Sequence, residues 1–373
     1  MLEKIKVALV HDWLTGQRGG EKVLEVLSEM FPAAPIFTLF HFKGSQIADI
    51  EGKTIRTSFL QRFPSLKKHY RWYLPLFPLA AELFDLGEFD LIISSSHCVV
   101  KGVIPPPGGL NISYIHSPIR YAWNQYFSYF SPAQLSFFPR LLIPPVIHRL
   151  RVWDESSSSR VDHFVANSRN VARRIEKYYR RPADVIHPPV DTRFFQPSSG
   201  NGREDYCLIV SALVPYKRID LAIAAFNRRG TPLKIVGDGP DYAKLKKSAK
   251  SNVEFLGPLS GPDLLRRFQE ARVYLLPGEE DFGIASLEAQ ACGLPVVAFG
   301  RGGALETVVP GVTGFFFPEL TEASLIAALD KLESFEFNKN TIRANALNFS
   351  REVFKDKISA YLEAKWCEFK AKS

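Results

Sequence analysis

Cysteine is scarce in this chain of 373 residues: Cys98, Cys207, Cys292 and Cys367 are the whole set, and none forms a Cys-x-x-Cys pair. This spacing excludes a disulfide framework and the ligand pattern of a structural zinc site, and it fits a reducing cytoplasm. Long apolar runs are also missing, because nothing reaches the ~20 residues that a membrane-spanning helix needs. The opening MLEKIKVALVHDWL has only a short apolar stretch before His11 and Asp12, which reads as a first strand and not as a signal peptide. The expectation is a cytoplasmic protein, soluble or peripheral on the inner face of the cell membrane. A Gly-x-Gly-x-x-Gly fingerprint is absent after that strand, which disfavours a dinucleotide cofactor. Acid is lacking locally, since no Asp or Glu occurs from Leu91 through Trp153.

What is present describes a globular protein. Hydrophobic residues make up 46% and charged residues 23%, outside the disordered range. The 47 basic residues against 39 acidic ones give +8, which favours anionic partners without naming them. The length allows two domains, each with its own core. Short apolar runs alternate with amphipathic segments throughout, at Lys6–Val10, Pro35–Phe40, Phe89–Ser94, Asn111–His116, Asp162–Ala166 and Val185–His187. Ser94–Ser96 offer a cap for a helix before Asn111, and Asn167 or Ser168 a cap for the basic helix ending near Tyr179. After a polar stretch rich in Pro, Ser and Gly at 188–204 the alternation restarts, with runs at Tyr206–Ser211, Leu233–Val236, Val253–Leu256, Val273–Leu276 and Pro295–Phe299. Such alternation predicts α/β domains with mainly parallel sheets covered on both faces, spanning 1–190 and 205–353. The segment 354–373 reads as one more helix.

The most informative stretch is 277–303, PGEEDFGIASLEAQACGLPVVAFGRGG. Glu279, Glu280 and Asp281 follow a strand at its carboxyl end, where open parallel sheets bind ligands. Phe282 and Gly283 present backbone N–H groups at the start of a helix, a place suited to anions. Glu288 interrupts the apolar stripe of that helix. Carboxylates beside anion-binding amides suit a ligand with both hydroxyls and phosphates, such as a sugar nucleotide. The plainer reading makes Glu279 and Glu280 first-turn acids and pairs Glu288 with an arginine.

Other candidates stand at comparable positions. Gly16, Gly19 and Gly20 lie between the first strand and an amphipathic helix beginning near Glu21, where they let backbone approach a ligand or simply make a tight turn. His116 ends its strand in YIHSPIRYAWN, with Arg120 close behind. Lys217, in VPYKRIDLAI, starts the helix after the second domain's first strand; by position alone it is an ordinary solvated lysine.

Glu280 and Glu288 bracket E-D-F-G-I-A-S-L-E, followed by A-x-A-x-G-x-P-V-V-A and by Gly302, Gly303 and Glu306. The whole segment resembles the E-x7-E region of retaining glycosyltransferases of family 4, which have two facing Rossmann-like domains (the GT-B architecture). HSPIRYAW resembles a mannosyltransferase-like branch, in which this histidine faces the donor sugar. That branch often has Asp where Asn124 stands here. The resemblance implies that Glu280 holds sugar hydroxyls, Glu288 the nucleotide ribose and Lys217 the diphosphate, with Phe255 near the base. It further places the loop Gly19-Gly20-Glu21-Lys22 near the donor phosphates and the acceptor, and has helix 354–373 cross back to the first domain. An arginine usual in the family is Ala212 here, and Arg218 is the candidate substitute.

These implications yield an expected function: transfer of a hexose, mannose from GDP-mannose as first choice, to a hydroxyl acceptor such as a lipid-linked glycan. No Asp-x-Asp stands in a suitable loop, and Lys217 with the helix amides supplies positive potential, so no cofactor and no essential metal is expected. The rivals are a sugar-nucleotide epimerase of like architecture and a non-catalytic carbohydrate- or nucleotide-binding protein. Arg62–Phe77 and Tyr126–Trp153 mix aromatics with Lys67, Lys68, Arg71, Arg140, Arg149 and Arg151, the composition of a surface that docks on anionic lipid, although the aromatics also suit a domain core. Nucleic acid is not expected as a partner.

Overall fold

The computed structural model describes residues 5–16, 19–130, 137–198 and 202–372. Positions 17 and 18 of the glycine-rich loop, 131–136 of the aromatic segment and 199–201 of the polar stretch lie outside them. The chain divides into one unit of residues 1–189 and 354–373 and another of residues 190–353.

Unit 1 is built on seven strands, β1 Val7–His11, β2 Ile36–Thr38, β3 Ile55–Thr57, β4 Leu91–Ser96, β5 Leu110–Ile115, β6 His163–Ala166 and β7 Asp184–Val185. They run in the order β3-β2-β1-β4-β5-β6-β7, and every pairing is parallel. The uninterrupted burial of VALVH in β1 follows from coverage on both faces. Alternation then sorts its side chains, Ala8 and Val10 into one core and Val7 and Leu9 into the other. Helix Arg351–Lys372 supplies Phe354, Ile358, Leu362 and Trp366 to the second of these cores, one residue per turn along a single stripe.

Unit 2 repeats the plan with β8 Cys207–Val210, β9 Leu233–Val236, β10 Val253–Gly257, β11 Val273–Leu276, β12 Val296–Phe299 and β13 Gly314–Phe317. The order is β10-β9-β8-β11-β12-β13, again all parallel. Val273 and Leu275 face one core while Tyr274 and Leu276 face the other. In both units the chain starts in mid-sheet and winds first one way and then the other. The order therefore reverses at β1/β4 and at β8/β11, and the carboxyl ends of strands at such a reversal are where open parallel sheets bind ligands.

One expectation changes with the structure, and one element appears that residue pattern leaves unassigned. Between β4 and β5 only a 3-10 turn forms, Val100–Gly102, because the chain then meets Pro105, Pro106 and Pro107, which remove amide donors and fix an extended path. Ser96 Oγ accepts from Lys101 N at 3.3 Å, so the cap exists without the helix. Conversely, Phe137–Ser156 is helical through Pro144 and Pro145. Its inward face, Ile147 and Leu150, is held in the same core as β1 and β4, and that packing outweighs the two lost backbone bonds.

A buried ion pair fastens the end of this helix. Lys101 Nζ lies 3.1 Å from Asp154 Oδ1 with both side chains at most 1% exposed, and it donates to Ser157 Oγ at 2.9 Å. Asp154 Oδ2 accepts from Trp123 Nε1 at 2.7 Å and from the Tyr179 hydroxyl at 2.9 Å. Burial pushes the Lys101 ammonium below its usual range, and Asp154 opposes that shift. Replacing Lys101 by alanine strands a buried carboxylate, so unfolding of unit 1 in urea is expected to lose about 3 to 5 kcal/mol. A loss under about 1 kcal/mol would show that solvent reaches the pair.

Candidate functional site

At the β8/β11 reversal of unit 2, the loop after β8 carries Lys217 in the 3-10 turn Pro215–Lys217, and the loop after β11 carries Glu280. The two side chains form an ion pair, 14% and 12% exposed. Their loops meet at Gly278, where a Cβ would stand 2.5 Å from Tyr216 O and 2.7 Å from Lys217 Cα. Both obstacles are backbone, so only glycine permits this approach. On the other side the Glu280 carbonyl accepts from Gly303 N at 2.8 Å, tying its loop to the one after β12. A Cβ on Gly303 would strike Phe282 Cα and the Asp281 carbonyl.

Gly283, with φ of 91°, is the N-cap of helix Ile284–Ala291 and has no side chain with which to bond the first amides of that helix. The helix packs tightly against its unit. Phe282 and Leu287 sit in a small core with Val190, and Gln290 Nε2 donates to Thr307 O at 2.9 Å. Glu288 is 3% exposed on the inward side, as its place in the apolar stripe predicts. Asp281 is buried, and Glu279 is half-buried beside Glu280.

Two further unit 2 candidates are Arg218 and Phe255. Arg218, at φ 54°, caps helix Ile219–Arg229, and its Nε donates to Asp220 Oδ1 at 3.1 Å. Phe255 lies on β10, the sheet edge, under the Tyr242 ring at 5.5 Å.

At the β1/β4 reversal of unit 1, Asp12 follows β1 completely buried. Its Oδ2 accepts from the amides of His97 and Cys98 at 2.6 and 2.8 Å, and its Oδ1 from Val99 and Val100 at 2.7 and 3.1 Å. Burial raises its pKa, while the His97, Val100 and Val99 amides and the neighbouring His11 pull it back. Beside it, His11 Nδ1 is 3.2 Å from Ser95 Oγ, which is 2.8 Å from His116 Nε2. Burial depresses both rings, His11 to about 3 and His116 well below its usual value; His97 and Arg120 add to the effect at His116. Gly20, near the start of helix Gly19–Met30, stands over the pair: a Cβ there would be 3.4 Å from both His11 Cε1 and His116 Nε2. Gly16 is half-buried earlier in the same loop.

Residue pattern therefore locates Lys217, Glu280, Gly283 and Glu288 at one reversal and Gly16, Gly19, Gly20, His116 and Arg120 near the other. Sequence reading gives Asp12 and His97 no role, and it treats Ser95 only as part of a helix cap and His11 only as a strand end. The available signal is a His-Asp pair closing the first strand of a parallel sheet and a Ser-Ser-Ser-His run closing the fourth.

Two family models match in succession, Glycosyltransferase Family 4 over residues 18–194 and Glycosyl transferases group 1 over residues 190–349. A D-inositol 3-phosphate glycosyltransferase of Mycobacterium avium is 31% identical over 187 residues, covering 44% of this chain and 44% of the relative. An uncharacterised glycosyltransferase of Methanocaldococcus jannaschii is 25% identical over 207 residues, 54% of this chain and 58% of that protein. The matches thus span about half the length of these curated relatives. Among solved structures, Anabaena Alr3699/HepE in complex with UDP and glucose superposes with a TM-score of 0.70 at 19% identity, over 96% of this chain and 99% of that one. Sucrose-phosphate synthase from Thermosynechococcus elongatus gives 0.73 at 15% identity, over 98% and 100%. With two all-parallel sheets that each reverse at their first strand, and with both models matched in sequence along it, the chain belongs to the family 4 glycosyltransferases of GT-B fold.

Proposed function

We propose that the protein transfers a hexosyl group from a nucleoside diphosphate sugar to a hydroxyl acceptor with retention of configuration. The observation that carries this reading is the Lys217–Glu280 pair at the β8/β11 reversal, next to the glycine-capped start of helix Ile284–Ala291. A cation and helix amides suit a departing diphosphate, and a carboxylate suits sugar hydroxyls. Glu288 binds the ribose on this reading, and His116 the transferring sugar. As the acceptor oxygen bonds to the anomeric carbon, the bond to the diphosphate breaks on the same face and the acceptor's proton passes to the leaving phosphate. Lys217 and the helix amides provide the positive charge, so the reaction needs no divalent ion. GDP-mannose is the proposed donor, on the resemblance of HSPIRYAW to the mannosyltransferase-like branch. The named complexes of Anabaena Alr3699/HepE hold UDP and UDP-glucose, which makes the uridine donors the direct competitors.

Glu280→Ala is expected to lower turnover by about 10- to 150-fold, the equivalent of roughly 1.5 to 3 kcal/mol for a hydrogen bond to a charged group. Nucleoside diphosphate binding, read by thermal shift, should persist in that variant and fall in Lys217→Ala. Full turnover by Glu280→Ala would reduce Glu280 to a helix-terminus acid. The same thermal-shift panel with GDP, UDP, ADP and dTDP identifies the base, since ligand at 100 times its Kd stabilises by about 2.7 kcal/mol. Selective stabilisation by UDP would replace GDP-mannose with a uridine donor. Formation of an epimerised sugar nucleotide in place of an acceptor-dependent product would establish the epimerase.

The acceptor is proposed to be lipid-linked. Among the described residues no helix is long and apolar enough to cross a membrane. Unit 1 nevertheless exposes Trp72, Phe127, Phe138, Leu141 and Leu142 to 62% or more. Lys67, Lys68, Arg71, Arg140 and Arg149 are exposed on the same segments. Those segments are rooted in one core through Tyr70, Tyr73, Tyr126 and Ile143, so cations and apolar side chains are held on a fixed support. Sedimentation with anionic vesicles should carry the protein down, weaken with salt, and fail for the triple replacement of Lys67, Lys68 and Arg71 by serine. Equal sedimentation with neutral vesicles, or none with either, would leave a soluble acceptor.

A further inference from the structure

Ser95 Oγ stands between two imidazoles, 3.2 Å from His11 Nδ1 and 2.8 Å from His116 Nε2. A hydroxyl has one proton, so it donates to one ring and must accept from the other. The protonation of the two rings is therefore tied together.

The far end of the array sets its direction. His11 is fully buried, and its Nε2 meets no hydrogen-bond partner. A proton on that nitrogen would be an orphaned buried N–H, a rarer arrangement than an unused acceptor. Nε2 therefore keeps a bare lone pair and the His11 proton sits on Nδ1, from which it is donated to Ser95. Ser95 in turn donates to His116 Nε2, which leaves the His116 proton on Nδ1. Both rings stay neutral, because burial and the neighbouring His97 hold each far below its ordinary titration range, with Arg120 adding to this at His116 and Asp12 opposing it at His11.

We infer that Ser95 and His11 are positioning residues that lock His116 in its Nδ1–H form, so that it meets its ligand as a hydrogen-bond donor and not as a general base. The register places the array, since His11 pairs with Ser95 between β1 and β4, and β5 delivers His116 one residue past its end. Gly20 leaves the ring pair uncrowded where the first helix begins. An Nδ1–H suits an acceptor oxygen, either a hydroxyl of the transferring sugar or a phosphate oxygen of its nucleotide. The inference rests on the reading under Proposed function only in taking that sugar nucleotide as the ligand.

The test reads the tautomer directly. In the full chain labelled with nitrogen isotope in histidine, with His116 assigned by loss of its signals in His116→Asn, long-range correlations report which ring nitrogen carries the proton. His116 and His11 should both show a protonated Nδ1 and a bare Nε2; the reverse at His116 overturns the inference. Ser95→Ala should give mixed His116 tautomers and lower kcat on the order of tenfold, with donor KM changed less than about twofold. His11→Asn, whose amide nitrogen replaces Nδ1–H, should recover most of the kcat that His11→Leu loses. A Ser95→Ala protein with the wild-type tautomer and kcat would also overturn the relay. Since the spectrum needs no turnover, absence of sugar transfer would remove the proposed activity while the tautomer still decides the array.

Discussion

Backbone approaches backbone so closely at Gly278 and Gly303 that neither position has room for a Cβ, and the arrangement of unit 2 depends on that constraint. Parallel strands deliver their following loops to one edge of the sheet, but the loops diverge unless something ties them. Gly278 seats the loop after β11 on the turn that carries Lys217. Gly303 seats the loop after β12 on the backbone that carries Asp281 and Phe282. Glu280 is thus fixed from two sides before its side chain makes any contact, and its pairing with Lys217 follows from where the main chain has been put.

Unit 1 solves the same problem with charge. Asp12 gathers four amides of the segment after β4, the first donors of a turn that would otherwise need water. A completely buried carboxylate is tolerable because each oxygen has two donors. By holding the loop after β4 against the end of β1, Asp12 aligns His11 with Ser95 and fixes the geometry of the imidazole array.

The sequence was legible wherever a local rule had a single outcome. VYLL and VVAF are too apolar and too short to be anything but buried strands, and Ser168 caps its helix through Val171 N at 3.1 Å as its residue type predicts. Glu288 was recognisable because a charge in an apolar stripe has few destinations. The helix through Pro144 and Pro145 was illegible, because propensity opposes it and only tertiary packing of Ile147 and Leu150 sustains it. β3 escaped notice because IRT is an edge strand of three partly exposed residues. The Asp12 contacts and the His11–Ser95 contact were invisible for another reason, since each joins residues 84 to 88 positions apart and only the sheet order brings them together.

The charge balance at Lys217 bears on the proposed chemistry. Ala212 supplies no cation where the family usually has arginine, and Arg218, although adjacent to Lys217, is committed to Asp220 in an exposed pair 33% and 53% accessible. Lys217 is itself paired with Glu280, so an incoming diphosphate competes with a carboxylate for it. The exchange becomes favourable when Glu280 finds hydroxyl donors of its own, which a sugar nucleotide carries on the same molecule as its phosphates. A free nucleoside diphosphate offers Lys217 a new partner but gives Glu280 none, and would leave that half-buried carboxylate with one donor fewer. On the proposed function, the pair would favour the intact donor over the product that remains after transfer. Such a bias suits a transferase that must hold its substrate and release its leaving group, and it arises from two side chains that glycine backbones have brought together.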